Sequence, residues 1–220
     1  DRYSASASEI FAGAIQDYQR GIIIGQKTFG KGTVQKLDNL SSGQIKITES
    51  KFYRITGVGM QSKGIHPDIT LPSTWDIEEI GESSYDTALP WDEIKPVRFK
   101  KFSMGPTLIS KLNDEHLTRV DQSPNLQYIL DIRKRYEIQK NKEVISLNLT
   151  NRRIEKEERQ SWALGIENKR RASLNLETFN SYQAMQDYND AKETEDDESD
   201  SEIDVDNDYL LNEGMQILSD

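Results

Sequence analysis

Apolar residues recur at helical spacing at the start of this chain. Ile10, Phe11, Ala14, Ile15 and Tyr18 fall on one face, so residues 8–19 read as an amphipathic helix. Gly21 ends it. Ile22-Ile23-Ile24, bounded by Gly21 and Gly25, reads as a short buried strand. Gly30 and Gly32 then bracket Lys31 in a turn, and Thr33 to Leu37 reads as the next strand. Alternation in Gln44 to Thr48, and again in Lys51 to Thr56, suggests paired strands after a turn at Asn39 to Gly43. Gly57 to Gly64 is a glycine-rich connection. Helix, strand, turn and strand in this order suit an α/β domain over residues 1–73.

The pattern then changes twice. Residues 74–106 contain Pro90, Pro96 and Pro106 with several aromatics, and read as a linker or wrap. From residue 107 helical spacing dominates, and 107–220 reads as a mostly α-helical domain. Leu108, Ile109, Leu112, His116 and Leu117 suggest one helix; Leu126, Ile129, Leu130, Ile132, Tyr136 and Ile138 suggest another. Val144 to Leu149 reads as a strand. Asn151 to Ala172 is a long charged helix with Ile154, Trp162, Leu164 and Ile166 on its apolar side. Leu210 to Leu218 reads as a last short helix, and no internal repeat is visible.

Composition thins the core this pattern can build. Hydrophobic residues make up 35% of 220 residues, and the mean hydropathy is -0.76. The net charge of -10 is local. Residues 1–75 carry nine Lys/Arg and six Asp/Glu, whereas residues 190–208 carry eleven Asp/Glu and one Lys. That acidic run reads as a mobile loop. It lacks the ligand spacing of a calcium loop. Lys169 to Arg171 is a basic cluster on a charged helix, a solvated face in a chain too acidic to suggest nucleic acid. No stretch is long and apolar enough to span a membrane.

Nucleophilic chemistry is scarce. Cysteine is absent, and His66 and His116 are the only histidines. They give no metal-ligand spacing and argue against a Ser-His-Asp triad. A Ser-Lys pair is left open, because a desolvated lysine can lose its proton and act as a base. Two motifs hold the candidates: Ser4-Ala5-Ser6-Ala7-Ser8-Glu9, and Thr28-Phe29-Gly30-Lys31-Gly32-Thr33-Val34-Gln35. Each residue has a plainer role. Ser6-Ala7-Ser8-Glu9 is a capping-box pattern ahead of a helix, with Glu9 its structural partner. Lys31 in a Gly-Lys-Gly turn reads as a surface charge, and Gln35 as an exposed strand residue. The two sets of roles are compatible for Ser6. A helix N-terminus offers free backbone N–H groups, so the Ala7 amide would face a developing oxyanion.

The two motifs together resemble the active-site core of the C-terminal processing, or tail-specific, serine proteases. In that family the serine lies in an (S/T)-A-S-A-S-E stretch and the lysine in a downstream F-G-K-G, with a glutamine four residues on. The resemblance implies Ser6 as nucleophile, Lys31 as general base and Gln35 as the residue that orients the lysine. The 25-residue step from Ser6 to Lys31 fits. An uncharged orienter suits the role, since a carboxylate there would keep the lysine protonated. The match continues through Gly64-Ile65-His66-Pro67-Asp68 and the segment Gly81 to Trp91, and Tyr209 to Leu218 is similar to the family's final helix. These later segments imply the long branch with an added C-terminal domain.

The resemblance implies a partial crotonase-like protease core followed by a helical C-terminal domain. It implies a periplasmic endopeptidase that needs no cofactor and cleaves proteins recognised by apolar C-terminal tails. It also places a signal sequence, a PDZ domain and the first part of the protease fold upstream. The chain is therefore expected to be the C-terminal piece of a longer protein, inactive alone. The rival reading is a helical docking module in residues 107–220, binding substrate or an adaptor protein without activity of its own. A crotonase-fold enzyme acting on acyl-CoA is the weakest reading, because a fold brings no chemistry with it.

Overall fold

The computed structural model describes residues 1–76, 79–102, 106–198 and 208–219. It mixes six α-helices with short strands: α1 (Ala7–Asp17), β1 (Ile24–Gly25), β2 (Thr33–Asn39), β3 (Gln44–Lys51), β4 (Ile69–Thr70), α2 (Pro106–Gln122), α3 (Pro124–Lys140), α4 (Leu149–Ser173), α5 (Tyr182–Glu198) and α6 (Tyr209–Ser219). Two compact units emerge, Asp1–Glu115 and His116–Asp220, with the division inside α2.

In the first unit, β2 and β3 form an antiparallel hairpin, and β1 pairs in parallel with β4. The hairpin leaves Val34, Leu37, Ile45 and Ile47 exposed. Of the segment Lys51 to Thr56, expected to be a strand, Lys51 ends β3 opposite Thr33, and beyond it Tyr53 makes an isolated bridge with Gly59. The chain turns at Gly57, which has φ 87° and donates to the Arg54 carbonyl at 2.8 Å, and the returning segment passes close to it. A Cβ at Gly57 would sit 2.1 Å from the Ile94 carbonyl oxygen. That returning segment lies along the unit through backbone bonds Gly59 to Asp92 (3.2 Å), Ile94 to Gly57 (2.8 Å) and Val97 to Ile55 (3.0 Å).

Helix α1 forms where expected, and the side it buries most fully in this chain is polar. Its buried residues are Glu9, Gly13 and Asp17, one turn apart on a single side. Ile10, Phe11 and Ala14, on the expected core face, are exposed, while Ile15 and Tyr18 are half-buried. The polar side is buried because every group on it has a partner. Asp17 pairs with Arg54, and Gly13 leaves room for Ile65, whose Cδ1 would lie 3.2 Å from an added Cβ.

In the second unit, Val120, Leu126 and Ile129 form a buried apolar cluster, with Tyr209 and Leu210 packed against it. Ser123 separates α2 from α3. Its hydroxyl accepts from the Leu126 N–H at 3.4 Å, and Pro124 opens the new helix. Asn148 caps α4 through bonds from Thr150 and Asn151, so the expected strand at 144–149 is irregular chain leading into a helix. The acidic run 190–208, expected as a loop, is helical as far as Glu198, where α5 ends. Residues 199–207 lie outside the described residues. No helix among the described residues is long and apolar enough to cross a membrane.

Candidate active site

Glu9 joins the two sequence motifs. Its side chain is 0% exposed, and its oxygens accept four hydrogen bonds. Oε2 takes the backbone N–H of Ser6 at 2.9 Å and that of Lys31 at 2.8 Å. Oε1 takes the Thr28 hydroxyl at 2.5 Å and the Gly30 N–H at 2.7 Å. A single carboxylate oxygen therefore ties the backbone of Ser6 to the backbone of Lys31. A carboxylate buried this way is stabilised only because its lone pairs are filled.

Ser6 itself has φ 56° and ψ -112°, a backbone state that side-chain-bearing residues rarely adopt. It is the N-cap of α1 in a capping-box arrangement, although its side chain closes no cap hydrogen bond. The Glu9 and Ile10 N–H groups both reach the Ser6 carbonyl, at 2.9 and 3.0 Å. The Ala7 N–H has no acceptor among the described residues, as befits the first turn of a helix.

The Lys31 turn is held from several directions. Phe29 donates to the Ser4 carbonyl at 3.0 Å, and Ser62 donates to the Gly30 carbonyl at 2.8 Å. The Gly32 N–H reaches Gln61 Oε1 at 2.9 Å, and Gln61, itself buried, donates to Glu82 Oε1 at 3.0 Å. Only glycine fits at position 32, where a Cβ would stand 2.5 Å from the Gln61 nitrogen. Thr28 is fixed on both sides. Its hydroxyl also accepts the Ile65 N–H at 2.7 Å, and the buried Arg2 side chain donates to its carbonyl.

These contacts order the backbone and leave the candidate side chains without such partners. Lys31 is half-buried, and its ammonium has no hydrogen-bond or ion-pair partner among the described residues. Gln35 lies exposed on β2, opposite Thr48 and just past an irregularity in the strand register. No hydrogen bond joins the Ser6 hydroxyl, the Lys31 ammonium and the Gln35 amide. Other cations crowd nearby. Burial, and then the charge of Arg2, pushes the Lys27 ammonium below its ordinary value. His66 is pushed down by burial first, then by Lys27 and Arg2.

Two family models match this chain. Peptidase family S41 matches residues 1–71, and the C-terminal domain of tail specific protease matches residues 75–220. The chain belongs to the tail-specific protease family. A tail-specific protease of Haemophilus influenzae is 40% identical over 70% of this chain and 24% of its own length. A carboxy-terminal-processing protease of Bartonella bacilliformis is 48% identical over 31% of this chain and 16% of its own. The solved structure of a photosystem II D1 C-terminal processing protease is 42% identical over 31% of this chain and 18% of that one, with a TM-score of 0.29. The chain thus spans about a quarter or less of the length of these curated relatives.

Both candidate motifs fall in the stretch of this chain that the Peptidase family S41 model matches. Of the expected site residues, Ser6 and Lys31 are brought together through their backbones, and Gln35 is not joined to them. Reading the sequence underrated Glu9. The capping-box pattern gave it one partner, Ser6, while three of its four donors come from residues 28–31. The signal available was Glu9 heading the same side of α1 as Gly13 and Asp17, a polar stripe at helical spacing. His66 is exposed, whereas His116 is fully buried, with Nδ1 2.7 Å from Glu213 Oε1 on α6.

Proposed function

We propose that this chain carries the nucleophile and base of a serine endopeptidase that works by a Ser-Lys mechanism. The Ser6 hydroxyl attacks the scissile carbonyl and gives its proton to the neutral amine of Lys31. The Ala7 N–H binds the resulting oxyanion. The Lys31 ammonium returns the proton to the leaving amine, which departs as the new N-terminus. Lys31 then takes a proton from water as that water attacks the acyl-enzyme, and Ser6 is regenerated. Gln35 orients the amine. The reading includes a crotonase-like core, protein substrates with apolar C-terminal tails, an adaptor that delivers them, and action in the periplasm.

The observation that supports the reading is the shared Glu9 oxygen. An ordinary capping box needs no bond to a turn more than twenty residues downstream, and an ordinary surface lysine needs no buried carboxylate under its backbone. Side chains without such partners on a fixed backbone suit a site that tightens when substrate arrives. Among the described residues no carboxylate is bonded to the Lys31 ammonium, which leaves it free of an ion pair.

The test compares a protein of the relatives' full length as wild type, Ser6→Ala and Lys31→Ala. Each is given an unfolded substrate ending in apolar residues. Loss of cleavage by about a thousandfold or more in both variants is expected. Cleavage undiminished in either one removes that residue from the mechanism.

A further inference from the structure

We propose that the cavity between α3 and α4 binds an acidic peptide segment that carries an aromatic or branched apolar side chain beside its carboxylates. The cavity is about 420 Å³. It is walled by Tyr136, Trp162 and Tyr182 and by the cations Arg135, Lys156 and Arg159, and no carboxylate lines it.

Several cations on the same helices are paired: Arg133 with Glu137 at 2.8 Å, Arg152 with Glu155 at 2.7 Å, Lys169 with Asp131 at 3.5 Å and Arg170 with Glu167 at 2.7 Å, while Lys134 and Arg153, which do not line this cavity, have no ion pair among the described residues. Arg135, Lys156 and Arg159 have no ion pair among the described residues. Arg135 also borders two adjoining cavities, one of which includes Glu158 and the other Asp131. Its guanidinium lies 5.3 Å from the centre of the Trp162 ring, and its Nε is buried without a hydrogen-bond partner. Burying a donor unsatisfied is unfavourable, and an incoming carboxylate would remove the penalty. A guanidinium beside an aromatic ring keeps its N–H donors available to pair with such a carboxylate.

The aromatic walls decide the rest of the ligand. They are amphipathic surfaces that gain from covering an apolar side chain. Three cations beside three aromatic rings therefore match a short segment with both characters. A long nucleic-acid backbone fits less well, since the chain carries a net charge of -10 and α5 runs into the acidic stretch. The site is independent of the proposed protease chemistry, and its test needs no activity.

Fluorescence anisotropy of the 220-residue chain would measure it, using a labelled, C-terminally amidated peptide of Asp, Glu and Phe. The expected result is saturable binding that weakens with salt. It should fall at least about tenfold, or roughly 1.4 kcal/mol, when Asp and Glu become Asn and Gln. It should fall as much with Lys156→Glu and Arg159→Glu together, which change exposed helix positions and whose fold is checked by circular dichroism. Arg135→Met should weaken binding further. Equal affinity for the amide peptide, undiminished binding by the double variant, or tighter binding of a single-stranded oligonucleotide would each overturn the proposal.

Discussion

The two units bury different things. In the first, among the described residues, seven polar or charged ones are buried, Arg2, Glu9, Asp17, Thr28, Thr33, Gln61 and Asp76, against five apolar ones. In the second the balance reverses, with Val120, Leu126, Ile129, Met185 and Ile217 against His116, Glu167 and Glu213. Apolar packing is tolerant, since many side chains of similar volume fill a core. A buried polar network is intolerant, because each member must find its partner at the right distance. The first unit has given up tolerance around the Lys31 turn, and what it gains is position. The second is built mainly on interchangeable contacts between helices.

The sharpest way to break this contrast is Glu9→Ala. It would strand the donors on Ser6, Thr28, Gly30 and Lys31, and should cost on the order of 4 kcal/mol in denaturant unfolding of the first unit. Glu9→Gln, nearly the same shape, should also fail, because an amide can accept at only one end. Faster hydrogen exchange at the Gly30 and Lys31 amides would report it; unchanged exchange would mean that the network is not what fixes the turn. Next comes Leu126→Ala in the second unit, with a loss of about 3 kcal/mol. The contrast predicts that Leu126→Met there costs under about 1.5 kcal/mol. Gly32→Ala should cost about 2 kcal/mol from its clash with Gln61, read as a lower denaturation midpoint. The smallest effect is Ser123→Ala, about 1 kcal/mol for one lost cap, visible as a small drop in thermal midpoint.

The sequence revealed elements better than faces. The apolar spacing of Ile10 to Tyr18 located α1 to within about two residues. Its apolar face is split in this chain, with Ile15 and Tyr18 half-buried and Ile10, Phe11 and Ala14 exposed, because periodicity finds a stripe without knowing what lies opposite. The stripe that matters is Glu9, Gly13 and Asp17, and its partners are supplied by Lys31, Ile65 and Arg54, distant in the chain. The strand expected at Val144 to Leu149 failed for a local reason. Asn148 offers its side chain to the Thr150 and Asn151 amides, and so starts a helix instead. Charge alone predicts a loop for the acidic run, yet Ala191 and Lys192 and the residues to Glu198 continue α5. Charge repulsion is screened in water, and the glutamates there are good helix formers. For the candidate site, the motifs were legible residue by residue. The shared carboxylate was not, since no pattern in one segment names its partners in another.

The backbone at Ser6 has a consequence for which alcohol can stand there. Serine and threonine carry the same hydroxyl, and at an ordinary loop position either could attack a carbonyl. At φ 56°, a β-branched side chain meets its own backbone, so threonine would have to distort the first turn of α1 to fit. The chain conformation thus chooses between two chemically equivalent alcohols by shape alone.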